Sequence, residues 1–151
     1  MIRSLIYSIT FHSILVLLTI LSLPFMLREP IDLPPIVSVE LIQITDKNYE
    51  KEIHQSNDIW CVTFSALSFC APCKALHPVL ESIAKNNKVP GVKFAVVATE
   101  DTGLSYSTMM GIRGVPTTHV MRGKEILGTK VGFVEESKFI EFVKTTVEEK
   151  K

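Results

Sequence analysis

The chain has 151 residues, 16 Lys and Arg against 16 Asp and Glu, and 46% hydrophobic residues. That length suits one ordinary domain, and the balanced charge argues against a nucleic-acid binder, which would carry a basic patch. The composition is too apolar for a disordered chain, and three cysteines are too few for a disulfide-stapled scaffold.

The averages conceal an uneven layout. Residues 1–30 carry only Arg3, Arg28 and Glu29 as charges, and from Leu5 to Leu27 there is no Lys, Arg, Asp or Glu. About 20 apolar residues suffice for a helix to cross a bilayer. Ser4, Ser8, Thr10, His12 and Ser13 dilute the first half of the stretch, and Ile14–Leu23 is its most apolar part. Residues 1–28 are therefore expected to form a transmembrane helix that acts as a signal anchor. The alternative is a cleaved leader, for which Arg3 supplies a minimal positive start, although no Ala precedes Ala66 to make a cleavage site. Arg3 and the amino terminus outweigh Arg28, which has Glu29 and Asp32 beside it, so the C-terminal domain is expected outside the cytoplasm. His12, inside an apolar run, is a candidate for a functional or partner-helix contact.

Residues 29–35 hold Pro30, Pro34 and Pro35 and read as a short stiff spacer. The domain proper is expected over 36–151. Ile36–Ile44 alternates in part and suits a strand, after which Thr45 is a candidate N-cap for a helix running through Asp46 to Ile53. Ile59–Phe64 is uncharged, β-branched and aromatic, the pattern of a central strand covered on both faces. A helix is expected from about Cys70 to Asn86, with Leu76, Val79, Leu80 and Ile83 on one face and Pro78 inside it. Val92–Ala98 reads as another strand, and Thr102–Gly111 as a short helix. Thr117–Met121 and Glu125–Val131 flank a turn at Arg122-Gly123-Lys124, and Glu135–Lys151 closes the chain as an amphipathic helix. This order predicts an α/β fold, a mixed sheet with helices on both faces.

Cys70-Ala71-Pro72-Cys73 falls where a β-run gives way to a helix. Unpaired backbone N–H groups and the positive end of the helix dipole favour a thiolate at that position. Cys70 is thus the candidate nucleophile and Cys73 the resolving thiol. In thiol–disulfide exchange, the Cys70 thiolate would attack a disulfide, a mixed disulfide would form, and Cys73 would displace the product. Zinc is the other chemistry open to a CxxC, but a structural site needs four ligands and only Cys61 and His77 are available besides the pair. No metal is expected. Cys61, in an apolar strand, reads as a buried small hydrophobe. His77 is read chiefly as a solvated helix residue that could also approach the thiols, and His119 as structural. No phosphate-binding Gly loop or nucleotide fingerprint is present, so no cofactor is expected.

Phe64-Ser65-Ala66-Leu67-Ser68-Phe69-Cys70-Ala71-Pro72-Cys73-Lys74 resembles the active-site segment of the thioredoxin family, and Gly111-Ile112-Arg113-Gly114-Val115-Pro116-Thr117 is similar to the segment holding that family's cis-proline. Thr45-Asp46 with Tyr49, Pro78, and Lys130-Val131-Gly132 extend the likeness over about 36–148. The resemblance implies a thioredoxin fold and protein thiol–disulfide oxidoreductase activity. It further implies that Pro116 is cis, and that Val115 and Pro116 form with Phe69, Ala71 and Pro72 the surface that binds protein substrates carrying thiols or disulfides. Outside the cytoplasm, a membrane electron donor or acceptor would serve as redox partner. Three departures stand out: one additional residue between Phe64 and Cys70, Thr63 where the family carries a buried Asp with Val96 or Val97 replacing a nearby Lys, and Ala71 in place of Gly. Two other functions are carried forward, a tethered non-catalytic module that holds chains in the Val115-Pro116 groove, and thiol-based metal handling.

Overall fold

The computed structural model describes residues 2–26 and 40–150, which fall into two units. The first is a single helix, α1 (Ile2–Met26). Three of its polar side chains bond back to its own backbone: the Thr10 hydroxyl donates to the Tyr7 carbonyl at 3.0 Å, His12 Nδ1 to Ser8 O at 2.7 Å, and the Thr19 hydroxyl to Val16 O at 2.7 Å. Among the described residues, no helix is long and apolar enough to cross a membrane. The transmembrane helix expected over 1–28 is thus not found as such; Ser8, Thr10, His12 and Ser13 lower the hydropathy of the described stretch. The expected Pro-rich spacer, 29–35, lies outside the described residues.

The second unit is built on a five-stranded sheet in the order β1-β3-β2-β4-β5. Its strands are β1 (Ile42–Ile44), β2 (Ile59–Ser65), β3 (Val92–Ala98), β4 (Thr117–Arg122) and β5 (Glu125–Val131). β2 occupies the centre, parallel to β3 and antiparallel to β4, and every residue from Trp60 to Ser65 is buried. That is why the segment is uncharged: neither face reaches water. β1 lies parallel to β3 on the other side, so the sheet is mixed as predicted. The hairpin turn between β4 and β5 uses Gly123 at φ +57°, a left-handed conformation that costs glycine little.

α2 (Ala71–Lys85) and α4 (Glu136–Glu149) cover one face of the sheet, where Leu76, Leu80 and Ile83 pack with Cys61, Phe94, Phe139 and Val143. On the opposite face, Ile44, Ile53, Trp60, Phe64 and Val97 pack against Tyr106 of α3 (Leu104–Met109). Full burial of each large apolar side chain contributes about 1.5–3 kcal/mol. α2 continues through Pro78 in its interior.

Two expectations are corrected here. The strand predicted over Ile36–Ile44 is confined, among the described residues, to Ile42–Ile44. The helix predicted after Thr45 forms as a turn, with Thr45 Oγ1 accepting the Lys47 amide at 3.3 Å, followed by a π-helical rather than an α-helical stretch, Glu50–His54, in which Gln55 N–H donates to Glu50 O at 2.9 Å. Asp46 does not open a helix of its own. Its carboxylate accepts the Ser105 and Tyr106 amides at 3.1 and 2.7 Å and so caps α3. Tyr49 stacks on Tyr106 with ring centres 4.4 Å apart and Ile53 is fully buried, so tertiary packing sets the shape of the segment between them.

Candidate active site

Cys70 is the N-cap of α2, with extended backbone angles (φ −92°, ψ 102°), and Pro72 stands in the first turn, where its missing N–H costs no hydrogen bond. Cys73 N–H donates to Cys70 Sγ at 3.2 Å, and Lys74 N–H to Cys70 O at 3.1 Å. The sulfur thus takes the place that a Ser or Asp oxygen holds in an ordinary cap. A thiolate there would accept the same N–H and gain from the helix dipole. In the structure the pair is oxidised to a Cys70–Cys73 disulfide with Cα atoms 5.2 Å apart.

Cys70 is 7% exposed and Cys73 1%, so any attack from outside reaches Cys70 first. Only the edge of Cys70 reaches solvent, because Ala66, Cys73 and Val115 pack around it. The exposed neighbour is Phe69, at 74%. Ala71 and Pro72 are also exposed.

The Val115–Pro116 peptide bond is cis. Cys70 Sγ lies 3.7 Å from the Val115 carbonyl oxygen, an acceptor for the thiol proton once the disulfide is reduced. Two bonds brace the segment: Thr117 hydroxyl to Gly114 O at 2.7 Å, and Gly132 N–H to Pro116 O at 2.7 Å. Phe69, Cys70, Ala71, Pro72, Cys73, Val115 and Pro116 are therefore gathered where β2 ends and β4 begins.

Thr63 lies on the face of the sheet that α2 covers, and it is not alone. Its hydroxyl and that of Thr118, paired across β2 and β4, are 2.9 Å apart and both residues are buried. The pair satisfies itself and presents no titrating group. His77 turns its Nδ1 to Glu81 at 3.3 Å and lines a cleft of about 330 Å³ with Ser65, Leu67, Val96 and Glu100. His119 is buried against Phe64 on the opposite face, where desolvation holds it below its ordinary pKa of 6.5. Cys61 is a fully buried free thiol, its pKa pushed far up by desolvation. Among the described residues, no group of three or more His, Cys, Asp or Glu is arranged to hold a metal ion.

Sequence reasoning missed Thr118, and it missed Glu100, whose carboxylate binds Ser68 two residues before Cys70. Neither carries a local signal. Their roles come from partners 55 and 32 residues away in the chain.

Comparison with known proteins bears on the whole unit. The family model described as thioredoxin matches residues 40–145. A thioredoxin of Buchnera aphidicola from Schizaphis graminum is 36% identical over 106 residues, covering 69% of this chain and 94% of the relative. Thioredoxin C-2 of Corynebacterium nephridii is 32% identical over 109 residues, 71% of this chain and 96% of the relative. The solved structure of a Malassezia sympodialis thioredoxin (Mala s 13) superposes with a TM-score of 0.62 at 24% identity, over 71% of this chain and 90% of its own, and supports the fold.

Proposed function

The chain belongs to the thioredoxin family and is a thiol–disulfide oxidoreductase, and on that premise we propose that it exchanges disulfides with protein substrates through Cys70 as nucleophile and Cys73 as resolving thiol. The observation that carries this assignment is the cap geometry: Cys70 at the N-terminus of α2, receiving the Cys73 amide, with cis-Pro116 alongside. In the reducing direction the Cys70 thiolate attacks one sulfur of a substrate disulfide. The other sulfur leaves as thiolate and takes up a proton. Cys73 then loses its proton and attacks Cys70 Sγ, forming the Cys70–Cys73 bond as the second substrate sulfur departs. The substrate gains two electrons and the pair loses them. Phe69, Ala71, Pro72 and the Val115-Pro116 backbone form the surface against which the substrate chain lies. Cys70→Ser is expected to abolish reduction of insulin disulfides by the reduced protein; full activity in that variant would remove the assignment of nucleophile.

The same proposal includes a membrane tether, with the redox unit on the extracytoplasmic, periplasmic side and a membrane donor or acceptor as redox partner. Its support is the 23-residue uncharged run Leu5–Leu27 and the exposure of Ile6, Ile9, Phe11, Ile14, Leu15 and Leu17 around α1, since a helix apolar on all sides suits lipid or a protein interior. The Thr10, His12 and Thr19 side chains bond to carbonyls of the same helix, which lowers the cost of placing them in lipid. Retention of the chain in membranes after an alkaline carbonate wash is the expected result. Release into the supernatant would rule out the span.

A further inference from the structure

The loop between β2 and α2 closes with Cys70 N–H donating to Ala66 O at 3.0 Å. Within it, Ser68 is exposed, yet all three of its polar groups are engaged. Its N–H donates to Glu100 Oε1 at 3.0 Å, its hydroxyl donates to Glu100 Oε2, and its carbonyl accepts from Lys74 Nζ at 3.3 Å. Glu100 comes from the connection between β3 and α3, and Lys74 from the first turn of α2. Two separate elements converge on one loop residue, and the next residue is Phe69, held 74% exposed immediately before Cys70.

Such contacts add little to folding, because exposed polar contacts compete with water and holding long Glu and Lys side chains costs conformational entropy. What they fix is direction. With its N–H, hydroxyl and carbonyl all engaged, both peptide planes adjoining Ser68 are oriented, which favours one path of the chain into Phe69. The two charges are opposite and meet at the same residue, so the arrangement brings no net charge to the N-terminus of α2.

We propose that Glu100 is a positioning residue for the exchange reaction: with Lys74 it clamps Ser68, so that Phe69 is presented beside Cys70 as a contact for an apolar stretch of a protein disulfide substrate. The inference rests on the exchange activity proposed above and deepens it. Phe69 is a specificity element whose usefulness depends on a carboxylate 31 positions further along the chain.

The test compares two substrates with the full chain in detergent. Insulin offers a polypeptide that can reach Phe69, and bis(2-hydroxyethyl) disulfide does not. Glu100→Ala is expected to raise KM for insulin roughly tenfold, the worth of losing an apolar contact of the Phe69 side chain, while turnover of the small disulfide stays within about twofold. Phe69→Ala should raise the insulin KM by a similar factor, and the double variant should be no worse than either single one, since both remove one contact. Glu100→Gln keeps an acceptor for the Ser68 amide and should therefore give a smaller KM effect. Ser68→Ala, which keeps the backbone bonds, supplies an intermediate KM should Glu100→Ala fold poorly. Equal KM changes for both substrates, or additive effects of Glu100→Ala and Phe69→Ala, would overturn the clamp. Cys70→Ser assayed alongside should silence both substrates; if it were active, the exchange assignment itself would fall, whereas an active Cys70 with unchanged insulin KM in Glu100→Ala sinks the clamp alone.

Discussion

The Thr63–Thr118 pair offers a quantitative test of how the sheet beneath α2 is held. The two hydroxyls are 2.9 Å apart, and the residues are 1% and 2% exposed. Replacing Thr63 alone by Val keeps the shape of the side chain but leaves the Thr118 hydroxyl buried without its partner. An unsatisfied buried hydroxyl costs about 1–3 kcal/mol, and the net hydrogen bond it loses is worth about 1 kcal/mol. The added methyl returns about 0.8 kcal/mol. Thr63→Val and Thr118→Val should therefore each destabilise by about 1–3 kcal/mol, lowering Tm by roughly 4–8 °C for each kcal/mol. The double Val variant has no orphan group and should recover nearly to the parent, giving a coupling of about 2 kcal/mol or more. Denaturant unfolding of the three variants and the parent, under conditions that keep the Cys70–Cys73 disulfide, completes the cycle. Since neither hydroxyl titrates in the working range, the pH profile of insulin reduction should be the same in all four. Additive, small effects of the two single changes would refute the pairing. A displaced pH profile would show that one hydroxyl takes part in proton transfer.

Asp46 accepts the Tyr106 and Ser105 amides, and these bonds hold its carboxyl below the ordinary 3.8. A depressed folded pKa contributes stability that is fully present above 3.8 and is lost as pH falls below it through the lower folded value. Acid titration of stability should show that loss in the parent and not in Asp46→Asn; identical acid limbs would remove Asp46 as the cap of α3. Gly103→Ala puts a Cβ 2.3 Å from Val97 Cγ1 and 3.0 Å from Ala98 O, so Val97 or the backbone must shift. A loss of about 1–3 kcal/mol is expected by thermal melting, and an unchanged Tm would mean that the β3–α3 connection gives way freely. Cys61, fully buried and with its thiol pKa raised, should resist alkylation in the reduced native protein while Cys70 reacts. Mass spectrometry that found Cys61 modified first would contradict that order.

Much of the fold was legible because its signals are local. The runs Ile59–Phe64, uncharged throughout, and Val92–Ala98, uncharged after Lys93, became β2 and β3, since the stretches covered on both faces do not tolerate charge. The CxxC was legible for a related reason: a cysteine three residues before another, with Pro72 between them, at the start of a helix, is a statement about one turn of backbone. Asp46 shows where such reasoning stops. It stands where an acid should open a helix, yet its carboxylate serves amides 59 and 60 residues later. No sequence window contains both partners. Glu100 is the same case in the active site, one acid among loop residues until the fold sets it against Ser68.

The sequence alone determined which segments must be buried, where a reactive pair could sit at a helix start, and that the first thirty residues differ in kind from the rest. These follow from periodicity, side-chain chemistry and backbone propensity, all of which act over a few residues. Only the tertiary structure decided the strand order β1-β3-β2-β4-β5, the partnering of Thr63 with Thr118, the engagement of Ser68 by Glu100 and Lys74, and how little of Cys70 meets solvent. Each depends on groups far apart in the chain coming within a few ångströms of one another, and a hydrogen bond or a buried surface exists only at that range.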